Sequence, residues 1–406
     1  MDHRRPTKVT NINSFKEDSA RRDFGINSLG INSKGEIIDY QGGLDDIKNN
    51  IIRAIGKPRD RFTEDALRIL RLFRFAARYN FDIDADTKQA AKELGHLIDD
   101  ISVERVTDEL KKVSDDGKHL ANYIEHLNDI DLLERILPEV NALKDKTENP
   151  KHHPEAYKLE RMHTKTKFNR VKNGSAFDHT MAALRQSKSN NPITNLAILF
   201  HDLGKGTVTV GNKNGYPTYN GHDKESAKLV KDIGTRLKFS NTLTNAIEFA
   251  AANHMKVHYI YEMGKKKISN LVNDSNWPIL KDVVYADEMS RSSSSINSDT
   301  IEEFNKKMKF AEDIASELSK GGGQSGIINR LKEKINGLKV MKYTGLPPGK
   351  EMGIILHLTQ DWLYNNIDAT DKEIKDFVLN TYNQRNNKDS INLESIYEAL
   401  LMNYNE

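Results

Sequence analysis

His201 and Asp202 stand side by side at the end of an apolar run, within NLAILFHDLGKG. Neutral imidazole and carboxylate are both ligands for a divalent ion of the Zn, Mn, Fe or Ni type, and an adjacent pair can hold one metal from one turn of backbone. A hydrolytic site needs at least three protein ligands and a position left for water. The flanks supply further ligand types: His179 in AFDHTMAAL, His222 in NGHDKES, His254 in AANHMKV and Asp287 in VVYADEM. Each falls in or beside a segment expected to be helical.

A second set of residues suits phosphate and base recognition. Arg21, Arg22 and Asp23 stand in a row; guanidiniums grip phosphate oxygens and a neighbouring carboxylate accepts from ribose hydroxyls. Residues 58–79, PRDRFTEDALRILRLFRFAARY, read as one amphipathic helix, with Thr63 as N-cap and with Glu64 and Asp65 complementing its N-terminus. Arg68, Arg71, Arg74 and Arg78 share one face, beside an apolar face of Leu67, Leu70, Phe73 and Ala77.

The rest of the chain must position these groups. At 406 residues it is too long for one ordinary core. Its 37% hydrophobic and 30% charged residues describe a soluble globular chain. Cysteine is absent, which excludes disulfides and thiolate-bound zinc and makes a reducing cytoplasm the natural compartment. No run approaches the roughly 18 apolar residues of a membrane span. A net charge of +2 leaves any nucleic-acid attraction to local basic stripes.

The expected class is mainly α, with a short α+β piece at the N-terminus. Residues 1–57 contain alternating VTNIN, then SLGIN and GEIIDY around an Asn-Ser-Lys-Gly turn; residues 58–150 form a helical neck. A polar, basic linker at 151–175 is expected to be solvated, and His152 and His153 within it are discounted as ligands because no carboxylate adjoins them. The metal domain spans 176–298 and a helical tail 299–406, where GGGQSG is a flexible break and Gly349 and Gly353 are packing glycines. Lys342 and Lys350 are expected near nucleic-acid backbone.

The series DHRRP, DSARRDFGINSL, GEIIDYQGGLDDIKNNIIRAIG, FTEDALRILRLFRFAARYNF and SVERVTDEL, in order over about a hundred residues, resembles the class II tRNA nucleotidyltransferases, the CCA-adding enzymes and their poly(A) polymerase relatives. The resemblance implies that Arg21, Arg22 and Asp23 hold the triphosphate and ribose of an incoming nucleotide. Asp65 and Arg68, with Glu64 beside them, face the Watson-Crick edge of CTP or ATP, and Arg71 and Arg74 lie near phosphate. A carboxylate accepting from an exocyclic amine beside an Arg donating to ring acceptors is a sensible way to read a base. The implied partners are tRNA, ATP and CTP, with no membrane. FDHT, LFHDLGKG and the Gly221, His222, Ser226, Ala227 element resemble the HD phosphohydrolase domain fused to such enzymes in some bacteria. That implies His179, His201, Asp202 and Asp287 around one divalent ion, with His222 and His254 taking a second or binding phosphate. Lys205 would neutralise a phosphate oxygen of a 2′,3′-cyclic phosphate or phosphomonoester. Ni, Mn, Zn and Mg are not distinguished.

The sequence departs from the family in one respect. A D-x-D on a strand and a GG-x-[VA]-R-D signature precede the RRP segment there, whereas this sequence begins at that segment. Asp82-Ile83-Asp84 and Asp129-Ile130-Asp131 fit the spacing, but neither follows a Gly-Gly turn. Nucleotidyl transfer depends on two clamped metals. The chain alone is therefore expected not to polymerise, and Mg-dependent addition to need a head fragment from a second polypeptide; a mis-set start codon would give the same sequence. The alternatives are a stand-alone HD phosphohydrolase acting on nucleotides or RNA ends, and a non-catalytic tRNA-binding scaffold.

Overall fold

A computed structural model describes residues 14–157, 160–161, 169–170, 174–213, 215–291, 298–320, 331–366 and 368–384. VTNIN, DHRRP and GGGQSG lie outside the described residues. The fold is mainly helical with a little sheet near the N-terminus, as expected. No described helix is long and apolar enough to cross a membrane.

The chain divides into two compact units: residues 1–258 with 276–304, and residues 259–275 with 305–406. The first unit opens with α1 (Phe15–Arg21), the hairpin β1 (Gly30–Ile31) and β2 (Ile37–Ile38), and α2 (Gly43–Asn49). Next come β3 (Ile51–Ile52), α3 (Pro58–Glu64), α4 (Leu67–Tyr79) and β4 (Asp82–Ile83), which pairs in parallel with β3. The neck continues through α5 (Ala85–Glu93), α6 (Val103–Val113), α7 (Gly117–Asp129), α8 (Leu133–Ile136) and α9 (Pro138–Asn141).

Two expectations for the neck need correction. Residues 58–79 form two helices: Asp65 is extended (φ −152°, ψ 103°), and its carboxylate accepts the Leu67 N–H where α4 begins. Thr63 therefore lies inside α3 and caps nothing. Neither D-x-D sequence forms an open carboxylate pair. Asp84 caps α5 by accepting from the Thr87 N–H and hydroxyl, while Asp129 and Asp131 lie 3.7 and 3.5 Å from Lys88 and Lys92.

A strap of residues 142–157 leads to the metal-ligand helices: α10 (Ala176–Gln186), α11 (Pro192–Phe200), α12 (His222–Arg236) and α13 (Asn241–His258). A short hairpin, β5 (Gly211–Lys213) with β6 (Tyr216–Thr218), precedes α12. α11 is buried from Thr194 to Phe200, because NLAILF is apolar on every face and is surrounded by α10, α13 and the later helix α15. The second unit takes α14 (Lys265–Val272), after which α15 (Trp277–Arg291) belongs to the first unit. α16 (Ser298–Lys320) starts in the first unit and continues in the second, followed by α17 (Gly337–Thr344), α18 (Lys350–Asn365) and α19 (Asp371–Gln384). Within the second unit, Trp362 stacks on Phe377. Gly349 and Gly353 do not act as packing glycines among the described residues, since a methyl group at either would meet none of their atoms within 4 Å.

Candidate metal centre

Each candidate ligand is positioned by a helix end or a buried helix face. Ser175 caps α10 in a reciprocal box with Asp178, which sets His179 in the first turn. Asn191 and Pro192 start α11, and His201 follows its last residue. The chain then turns through a 3-10 turn at Leu203–Gly206 that is pressed on α12. The Gly204 N–H donates to Ser226 Oγ at 2.8 Å, and a Cβ on Gly204 would stand 2.1 Å from the His222 carbonyl oxygen. This close approach explains why HDLGKG and GHDKES are matched: only glycine lets the turn reach the start of α12. α13 contributes His254 and α15 contributes Asp287.

Asp202 joins two groups of side chains. Its Oδ2 lies 3.1 Å from His201 Nε2 and 3.5 Å from His179 Nε2, and its Oδ1 lies 3.1 Å from His222 Nε2 and 3.5 Å from His254 Nε2. Each group has one ligand atom per residue close enough together to surround an ion, and all five residues are buried. Three of the imidazoles are fixed alike. His201, His222 and His254 have Nδ1 2.7, 2.7 and 2.8 Å from the carbonyls of Ile198, Tyr219 and Ala251. A carbonyl only accepts, so Nδ1 carries the proton and Nε2 turns inward as a lone pair.

That arrangement fits a cation. His179 Nε2 and His201 Nε2 are buried without a hydrogen bond, and His222 Nε2 faces His254 Nε2 at 3.3 Å. Buried polar atoms ordinarily find partners, and facing lone pairs repel unless a positive centre lies between them. Burial holds His254 down at about 4, so its ring is neutral at pH 7 and free to ligate. Burial opposes charge on Asp202, but His201 and Lys205 keep its carboxyl well below the usual range.

The other expected site residues are more heavily engaged. Asp287 Oδ1 is 3.1 Å from His179 Nε2, yet the carboxylate also accepts from Arg291 Nε and Nη2 at 3.0 and 2.7 Å, and its Oδ2 is 3.0 Å from His258 Nε2. Lys205 is buried, with Nζ bridging Glu148 at 2.7 Å and Asp202 at 2.8 Å. The strap removes the reason given for setting His153 aside. It is buried, with Nδ1 3.2 Å from Glu155 Oε1 and 3.3 Å from His179 Nδ1. Glu155, two residues on, is the carboxylate whose absence was the reason for setting His153 aside; together with His179 they form a third close group.

In the neck the expected nucleotide residues gather between α1, α4 and α6, most of them already paired. Asp65 accepts from Arg105 Nη2 at 2.8 and 3.0 Å, and Arg68 donates to Glu64 at 2.7 Å and to the Arg61 carbonyl at 3.0 Å. Asp23 accepts from Arg71 at 2.5 Å and from Asn27 at 2.6 Å. Arg22 donates to Asp18, while Arg21 is exposed at the end of α1. Arg74 is buried and donates to Glu109 at 2.5 Å, and Arg71 lies 4.0 Å from the same carboxylate. Arg105 and Glu109 lie one helical turn apart in SVERVTDEL, and that i, i+4 spacing is the signal that would have found them.

Three family models match in order along the chain: the poly A polymerase head domain over residues 1–53, the probable RNA and SrmB-binding site of polymerase A over 80–144, and the HD domain over 177–292. Among curated relatives, the CCA-adding enzyme of Streptococcus gordonii is 50% identical over 113 residues, 28% of this chain and 28% of that protein. The multifunctional CCA protein of Nitrosospira multiformis is 33% identical over 263 residues, 64% of this chain and 58% of that protein. The chain thus spans less than two thirds of the length of these relatives. The CCA-adding enzyme of Bacillus stearothermophilus, solved in complex with CTP, shares the fold with a TM-score of 0.55 over 93% of this chain and 77% of that one, at 19% identity. Segments similar to a head, an RNA-binding and an HD domain thus follow one another along the chain. Along these segments the chain is similar to the tRNA nucleotidyltransferase and poly(A) polymerase family.

Proposed function

We propose that this chain is the nucleotide-selecting and tRNA-binding part of a CCA-type nucleotidyltransferase, working in the cytoplasm, with an HD domain that hydrolyses phosphate esters. The observation that carries the hydrolytic half is Asp202, one carboxylate shared by two buried groups whose imidazoles offer Nε2 inward. His179, His201, Asp202 and Asp287 would hold one divalent ion, and Asp202, His222 and His254 a second. Ions held there would supply Lewis acidity toward a phosphate ester and would offset its charge. The protein's own residues provide the rest. Asp202 aligns the two groups, Arg291 and His258 fix Asp287, and Lys205 places a buried positive charge beside Asp202 to meet a phosphate oxygen. A 2′,3′-cyclic phosphate or a phosphomonoester is the substrate class.

For nucleotidyl transfer, Asp65 held by Arg105 presents its carboxylate beside Arg68, an acceptor next to donors that suits the Watson-Crick edge of CTP or ATP. Among the described residues every candidate metal group lies in or against the HD domain. We infer that Mg-dependent addition of CMP and AMP uses the metal carboxylates of a D-x-D head segment, supplied by a complementing fragment. Two assays test the proposal. Purified chain should hydrolyse a 2′,3′-cyclic nucleotide only when supplied with a divalent metal, and His201→Ala or Asp202→Ala should each remove nearly all of that rate. It should add no nucleotide to tRNA lacking its 3′ end until a D-x-D head fragment is co-expressed. Metal-independent hydrolysis, or addition by the chain alone, would refute the corresponding half.

A further inference from the structure

His179 is oriented differently from the other three imidazoles of the centre. His201, His222 and His254 each use the carbonyl three residues back to hold the Nδ1 proton. Around His179 Nδ1 the described residues place Glu155 Oε1 at 2.7 Å and His153 Nδ1 at 3.3 Å. We propose that Glu155 is a positioning residue of the metal centre, accepting the Nδ1 proton of His179 so that Nε2 faces Asp202 and Asp287. The proposal rests on the reading above that His179 is a ligand.

Glu155 is built to stay where it is. Its strap is tied down by backbone hydrogen bonds from Glu148 N–H to the Gly174 carbonyl (2.7 Å), from Gly174 N–H to Ala156 (2.9 Å) and from Ala176 N–H to Lys146 (2.7 Å). The Tyr157 hydroxyl donates to the Glu148 carbonyl at 2.6 Å and the Tyr219 hydroxyl to that of Thr147 at 2.9 Å. Residues before α10, outside the helices that carry His-Asp, therefore decide which nitrogen of His179 is bare. A carboxylate behind a ligating imidazole fixes its tautomer and raises its basicity, and removing such a partner typically costs about 10- to 100-fold in metal affinity.

The rival reading makes His153, Glu155 and His179 an ion site of their own, since their ligand atoms cluster. Distance argues against it. The Glu155–His179 separation of 2.7 Å is a hydrogen-bond length, whereas two ligands each about 2.0–2.1 Å from a tetrahedral ion would stand roughly 3.3 Å apart. An ion on Nδ1 would also require His179 to give up its second ring proton to serve the Asp202 group.

The test is a calorimetric titration with Mn2+, paired with the visible spectrum of the Co2+ form, on the full chain carrying Glu155→Gln, Glu155→Ala, His153→Ala or His201→Ala. Melting in chelator controls for folding, and the isosteric Gln variant guards against an unfolded Ala variant. Glu155→Ala should weaken one ion about 10- to 100-fold and shift the Co2+ bands, with the number of ions unchanged. Glu155→Gln, whose amide oxygen still accepts, should weaken it less, and His153→Ala should bind as many ions as wild type. Wild-type affinity and spectra in both Glu155 variants would overturn the proposal. So would loss of a whole ion in the Glu155 and His153 variants but not in His201→Ala, which would establish the rival site. If wild type binds no ion, or His201→Ala binds as wild type does, the assignment of the centre fails first and takes this proposal with it.

Discussion

Asp202 is the residue on which the account of the HD domain turns, because each of its oxygens faces a different pair of imidazoles. The division gives separable expectations for single changes. His222→Ala or His254→Ala should remove one ion and leave the ion on the His201 side, counted by metal analysis after gel filtration; loss of both, or of neither, would contradict the division. In the neck, Arg105 holds both oxygens of Asp65 and was not singled out from the sequence. In enzyme complemented with a head, Arg105→Ala should disturb the choice between CTP and ATP about as much as Asp65→Ala, read by sequencing the added 3′ ends. Normal CCA ends from Arg105→Ala would mean that Asp65 needs no such anchor.

The elements were legible in the sequence wherever periodicity or punctuation was local. NLAILF marked a buried helix, and the His and Asp side chains of α10, α12, α13 and α15 fell on helices as expected. What escaped depended on contacts distant in sequence. The amphipathic spacing of residues 58–79 runs on unbroken, but Asp65 leaves the helix because its carboxylate is claimed by the Leu67 N–H and by Arg105 from α6. Residues 151–157 of the strap read as part of a solvated linker because their composition is polar, yet His153 and Glu155 are buried by pairing with each other and with His179. Gly204 is the element-scale test of the turn packed on α12. Gly204→Ala puts a methyl 2.1 Å from the His222 carbonyl oxygen, so it should cost about 1–3 kcal/mol in denaturant unfolding. It should also weaken metal binding by displacing His222. An unchanged denaturation midpoint would mean that the turn tolerates the shift.

Across the whole molecule, the buried ionisable groups give the metal-free protein a defined pH profile. Burial holds His254 and His153 at about 4, against about 6.5 for an unperturbed histidine. Their contributions to stability are present above about 6.5 and are lost as pH falls toward 4. His179 behaves oppositely: burial opposes its charge, but Asp287 and Glu155 raise it to about 9. Its contribution is complete below about 6.5 and is lost as pH rises through 9. In chelator, the melting temperature should therefore peak near pH 6.5 and fall on both sides; a curve that keeps rising from pH 7 to above 9 would contradict the arrangement around His179.

In the proposed hydrolytic centre one carboxylate, Asp202, organises two ions. The most direct measurement is the number of Mn2+ ions bound per chain by wild type and by Asp202→Asn, an isosteric change that removes the shared charge. Wild type should bind two ions, and Asp202→Asn should lose affinity at both sites together with cyclic-phosphate hydrolysis. A wild type that binds none, or an Asn variant that keeps one ion at full affinity, would contradict this.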